Sequence, residues 1–124
     1  MNTTPFGDKV HITNAKLDSW PLPAELILTG KPTASGSVLS KSADGCKVRG
    51  IWDCSPGSFR WDWNYDETIV VVAGRVTVAL DSGRKVELAP GDLAYFERGQ
   101  GSVWTIHEHF RKGFHADSPE PLPF

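Results

Sequence analysis

Residues 58–63 read Ser-Phe-Arg-Trp-Asp-Trp, and residues 67–80 read Glu-Thr-Ile-Val-Val-Val-Ala-Gly-Arg-Val-Thr-Val-Ala-Leu. The first stretch alternates. In an extended chain Phe59, Trp61 and Trp63 fall on one side, with Arg60 and Asp62 on the other. In the second, residues 67–73 are a β-branched run long enough for a buried strand, and Gly74-Arg75 joins it to a further strand at 76–80. The pattern continues on both sides. Residues 48–52 alternate as a strand, and Ser55-Pro56-Gly57 is a turn. Asp81-Ser82-Gly83 reads as a hairpin loop, followed by strands at 85–88, 93–96 and 102–106 and a last one at 109–115. Strands spaced by roughly 8–12 residues predict an antiparallel sandwich or barrel. The fold class is all-β.

The first 45 residues look different. Pro5, Pro21, Pro23 and Pro32 interrupt any helix, residues 33–45 are rich in Ser, Ala and Gly, and only 25–29 reads as a short element. This divides the chain into an irregular arm at 1–45, a barrel at 46–116 and a Pro-rich tail at 117–124, all within one domain. The arm is expected to wrap the domain or reach a second subunit. A length of 124 residues suits a single domain. A net charge of −2 gives no electrostatic case for nucleic acid or an anionic membrane. No apolar run approaches the ~20 residues of a membrane span, and residues 1–10 lack the apolar stretch of a signal peptide. The expected location is the cytoplasm, with Cys46 and Cys54 as free thiols. Five Trp are a heavy load for so short a chain.

Gly50-Ile51-Trp52, Pro56-Gly57, Asp66-Glu67, Gly74-Arg75-Val76, Gly91-Asp92, Gly99, Trp104 and Arg111-Lys112 follow one another in a recognisable order. Over residues 25–115 the chain resembles the small cupin_3 (DUF861) group of the cupin superfamily. The resemblance implies a jelly-roll β-barrel of the RmlC-like kind, with a pocket at one end and dimers formed through sheet edges and the N-terminal arm. It also implies where a metal would sit. Cupins hold Mn, Fe, Ni or Zn with two His one residue apart, a Glu, and a third His. Aligned on Gly74, the Glu falls on Glu67, but the His positions fall on Trp61, Trp63 and Ser102. The same group includes (S)-ureidoglycine aminohydrolase, an Mn enzyme of allantoin degradation. Its Glu and first His would fall on Trp61 and Trp63, its second His on Glu67, and its Gln on Ser102 or Val103. An indole offers a divalent metal no lone pair, so neither metal nor cofactor is expected.

The candidate ligand-binding residues are Trp61, Trp63, Glu67, Ser102, Trp104 and Lys112. Two readings of the Trp residues stand side by side: bulky filler of a barrel that lost its metal, or an aromatic binding wall. Trp20 and Trp52 read as packing residues. Glu67 is either a structural ion-pair partner of Lys112 or an arginine, or a carboxylate that reads the ligand. With the indoles, a free carboxylate would favour an amine through charge and cation–π attraction; pairing with Lys112 or Arg60 would remove that preference. His107-Glu108-His109 is an HxH that could bind zinc, but it has the opposite parity to Trp104 and so is expected on the solvated face. Cys54 reads as a buried thiol or, less simply, a nucleophile without a neighbouring His.

The leading expectation is a metal-independent homodimeric protein that binds a small organic molecule, an amine or a ureide. The alternatives are a metal-dependent enzyme of the ureidoglycine aminohydrolase type and a non-catalytic interaction subunit.

Overall fold

The computed structural model describes residues 9–124; residues 1–8 of the expected arm lie outside the described residues. Nine strands form one antiparallel sheet: β1 (Asp18–Ser19), β2 (Ile27–Gly30), β3 (Ala34–Lys41), β4 (Lys47–Cys54), β5 (Gly57–Asp62), β6 (Asp66–Leu80), β7 (Lys85–Leu88), β8 (Leu93–Phe96) and β9 (Gly101–Asp117). A single 3₁₀ turn at Ala24–Leu26 is the helical content among the described residues, and no helix there is long and apolar enough to cross a membrane.

Strand β9 is the hub. One of its edges pairs with β4 through its C-terminal half and with β5 through its N-terminal half. The other edge pairs with β6 from Asp66↔Asp117 to Leu80↔Ser102. Beyond β6 lie β7 and β8, end to end. Residues 67–73 and 76–80 are thus one strand, and so are 102–106 and 109–115, where the sequence suggested two of each. Gly74 shows why the breaks were legible without ending the strand. Its φ is +83°, and a Cβ there would collide with the carbonyl of His109. The register shifts on both sides of it, between Val71 and Val76, so the ladder bends and continues.

The all-β expectation holds. The described strand pairs form a curled sheet whose hydrogen bonds leave it open, with β1 and β2 at the ends of the path and β7 and β8 as further edges. β4 and β5 share one edge of β9, and among the described residues no strand bridges from them to β7 or β8. The curl encloses one core, including Val48, Phe59, Trp63, Ile69, Val78, Phe96, Trp104 and Phe110, from five different strands and the turn after β5. Each large apolar side chain buried here contributes about 1.5–3 kcal/mol.

Residues 18–41 carry β1, β2 and β3; the short element read at 25–29 overlaps β2, while the Ser- and Gly-rich sequence of β3 gave no strand signal. Tertiary pairing supplies what propensity does not: β3 is laid along β4, and its inward positions Ala34, Gly36 and Val38 are buried. Gly36 is small for a reason. A Cβ there would overlap the Trp20 ring. Further back, Arg111 donates to the carbonyls of Ile12, Thr13 and Ala15, which lays this segment on the outer face of its own sheet.

Gly74→Ala is expected to lower the unfolding free energy by more than about 2 kcal/mol, because it combines a left-handed backbone with a backbone collision. Gly83→Ala, also left-handed but with nothing within 4 Å of the added carbon, is expected to cost about 1 kcal/mol. Urea unfolding of the two variants measures the difference; equal losses would contradict this account of the bend.

Candidate functional site

Inward-facing residues of β4, β5, β6 and β9 surround a cavity of about 250 Å³. Alternation puts them there. Phe59 and Trp61 on β5 lie opposite Trp104 and Ser102 on β9, and Trp52 on β4 lies opposite Lys112. Glu67 is the second residue of β6, and Tyr65 lies just before that strand. The mouth is built by chain segments far apart in sequence: Trp20 to Pro23 from one end, Pro123 and Phe124 from the other. The Trp20 ring meets Phe124 edge-on at 5.2 Å, and Phe124 meets Tyr65 edge-on at 5.6 Å. Lys41 holds the Phe124 end in place by donating to its carbonyl at 2.8 Å.

The floor is an ion pair. Lys112 Nζ donates to Glu67 Oε2 at 2.8 Å, and Trp63 Nε1 donates to Glu67 Oε1 at 3.0 Å. Both charges are buried, with side chains 8% and 4% exposed. The Lys112 ammonium also lies 4.9 Å from the centre of the Trp52 ring and 5.1 Å from that of Trp104. An ammonium against two indoles and beside a carboxylate is the arrangement the sequence suggested for a bound amine. Here the protein's own lysine provides the cation. The charge argument for an amine ligand therefore fails, since Glu67 is already neutralised.

Of the six candidate residues, Trp61, Glu67, Trp104 and Lys112 line the cavity. Trp63 lies outside the lining: it stacks on Phe96 at 4.5 Å and 9° and orients Glu67 through its N–H. Ser102 is fully buried and donates to the Trp61 carbonyl at 2.8 Å, tying β9 to β5. Trp20 and Trp52, read as packing residues, also line the cavity. For Trp52 a signal was present, since it shares the inward parity of Gly50 and Cys54. For Trp20 and Phe124 there was none. Tyr65 is held as a neutral phenol: burial, and then the charge of Glu67, push its ionisation well above the ordinary range.

The residues do not fit a divalent metal. Trp61, Trp63 and Ser102 stand at three of the four positions of the cupin ligand set, and the oxygens of Glu67 are bonded to an indole and an ammonium. Among the described residues, no group of three or more His, Cys, Asp or Glu could hold a metal ion. His107 and His109 lie on the outer face, both exposed. His107 Nε2 is 2.7 Å from Thr77 Oγ1, and His109 Nε2 is 2.5 Å from Asp53 Oδ1. Cys54 is buried, and burial pushes its thiol up to about 12, which leaves no thiolate for nucleophilic attack near neutral pH.

Lys112→Met strands the Glu67 carboxylate in the interior and is expected to cost about 3–5 kcal/mol. Adding Glu67→Gln removes the stranded charge while keeping an acceptor for Trp63, and should recover more than half of that loss. A double-mutant cycle in urea checks it; additive losses would mean the two charges are not coupled.

A family model described as EutQ-like cupin domain (Cupin_3) matches residues 41–114. A protein of Clostridioides difficile strain 630 named acetate kinase EutQ is 30% identical over 67 residues, which is 54% of this chain and 40% of that one. The chain thus spans less than half the length of this curated relative. The structure of C. difficile EutQ aligns with a TM-score of 0.63 at 22% identity, over 74% of this chain and 65% of that one. A Pseudomonas syringae protein of unknown function from the DUF861 family aligns with a TM-score of 0.76 at 21% identity, over 83% of this chain and 45% of that one. At these identities the structural likeness establishes the fold, a cupin-like all-β sheet. The family match covers more than half of the chain: this protein belongs to the EutQ-like cupin domain family.

Proposed function

We propose that this domain binds a small organic molecule in its aromatic cavity, without the metal centre of other cupins. The observation that carries the reading is the cavity itself, about 250 Å³ with indole walls and a buried Glu67–Lys112 pair at its base. Concave, mostly apolar space with a few fixed polar groups is the usual composition of a small-molecule site. Trp61 and Trp104 are its walls, Glu67 and Lys112 its polar contacts, and Trp63 and Ser102 position these from behind. In this reading the curled sheet is the cupin jelly-roll barrel, closed by side chains at the mouth.

The alternatives have less support. A reaction of the ureidoglycine aminohydrolase type would need a metal to polarise its substrate, and the ligand positions do not suit one. An interaction subunit with a filled barrel would not need the cavity. The EutQ relative is named an acetate kinase; binding of a phosphoryl group needs cationic donors, and among the described residues the one basic side chain lining this cavity is already paired with Glu67.

Elemental analysis of the purified protein is expected to find no stoichiometric Mn, Fe, Ni or Zn. A thermal-shift screen of small aromatic, amide, ureide, amine and acid compounds should find stabilisers whose effect disappears in Trp61→Ala. One equivalent of metal lost on Glu67→Gln, or stabilisers indifferent to Trp61→Ala, would overturn the reading.

The same proposal includes a homodimer in the cytoplasm. Both cysteines are unpaired, as reducing compartments leave them. Among the described residues no strand pairs with the outer edges of β7 and β8, and Val70, Leu93 and Tyr95 are exposed on β6 and β8. Light scattering at micromolar concentration should give twice the 13.6 kDa of the chain; a clean monomer would exclude the dimer.

A further inference from the structure

We infer that the ligand of this cavity is an uncharged carbonyl compound of the carboxamide class, and neither an amine nor a carboxylate. The inference rests on the cavity being the binding site and names what that site selects.

Charge decides first. Among the described residues, Glu67 and Lys112 are the only charged side chains lining the cavity, and they touch each other. The site is neutral as it stands. A charged ligand would bring an uncompensated charge into an aromatic interior, where desolvation is costly. An amine finds the space over Trp52 and Trp104 occupied by the Lys112 ammonium. A carboxylate finds that ammonium already neutralised by Glu67.

Hydrogen-bonding capacity decides next. An ammonium has three N–H groups, and Lys112 uses one, on Glu67. Spare donors call for a carbonyl oxygen. Each Glu67 oxygen accepts one hydrogen bond, from Trp63 or from Lys112, and keeps capacity for another. Spare acceptors call for an N–H. A carboxamide carries a carbonyl and an N–H on adjacent groups, without charge, and its flat shape suits a cavity walled by Trp52, Trp61 and Trp104.

The test uses benzamide, benzoate and benzylamine, three probes of nearly the same shape and different charge. Titration calorimetry on the full chain is expected to show benzamide binding at least about tenfold more tightly than either of the others, the ratio that even a small part of the buried-charge penalty would produce. Glu67→Gln leaves Lys112 unpaired and should move the preference to benzoate. Lys112→Met leaves Glu67 unpaired and should move it to benzylamine. If either variant fails to fold, the wild-type ranking alone decides. A wild-type preference for benzoate or benzylamine overturns the inference and leaves small-molecule binding standing. Binding by none of the three also overturns it. The binding reading itself falls only if the wider screen also finds no stabiliser sensitive to Trp61→Ala.

Discussion

Two opposite charges buried in an aromatic interior constrain everything around them. Glu67 and Lys112 are not opposite each other in the ladder. Glu67 pairs with Ala116, while Lys112 pairs with Val71. The lysine side chain reaches along the sheet to close the gap. Removing either group would leave the other as an unpaired charge in the core, a loss far larger than that of any single methylene. Both positions also need the same face of β6 and β9 turned inward, so the pair pins the register of the longest ladder in the molecule.

The aromatic side chains are arranged around that pair. Trp63 bonds one carboxylate oxygen, Trp52 and Trp104 face the ammonium, and Phe114 lies 6.0 Å from it. Cation–π attraction in a dry site is worth about 2 kcal/mol, which offsets part of the cost of burying lysine. A cupin pocket normally offers its ligand a metal. Here the positions of the cupin imidazoles carry Trp61, Trp63 and Ser102, and an ammonium lies beside the Glu67 carboxylate. Family membership gives the fold and does not name the ligand.

The mouth of the cavity depends on both ends of the described chain. Trp20 packs over Gly36, where no side chain obstructs it, and meets Phe124 and Phe114 edge-on. The tail is held by Lys41, and Leu122 donates its N–H to the Gly45 carbonyl. On the outer face, Arg111 is salt-bridged to Asp53 and holds the carbonyls of residues 12, 13 and 15. Adjacent residues of β9 thus serve opposite faces: Arg111 fixes the N-terminal segment outside, and Lys112 fixes the floor within.

Much of this was legible in the sequence because period-2 alternation and turn glycines are local signals. Phe59, Trp61 and Trp104 declared their inward parity, His107 and His109 their outward parity, and Glu67 its place among indoles. The Pro and Gly spacing was enough for an all-β sheet. Other features depend on contacts that no local pattern encodes. Strand β3 is a strand because β4 lies beside it, since its Ser and Gly residues carry little propensity of their own. Trp20 and Phe124 belong to one site although 104 positions separate them. Whether Glu67 would face a ligand or a lysine was open in the sequence, because parity gives a side chain's direction and not what it meets there. That depended on how far the Lys112 side chain reaches along a bent ladder, a distance that exists only once β6 and β9 are paired.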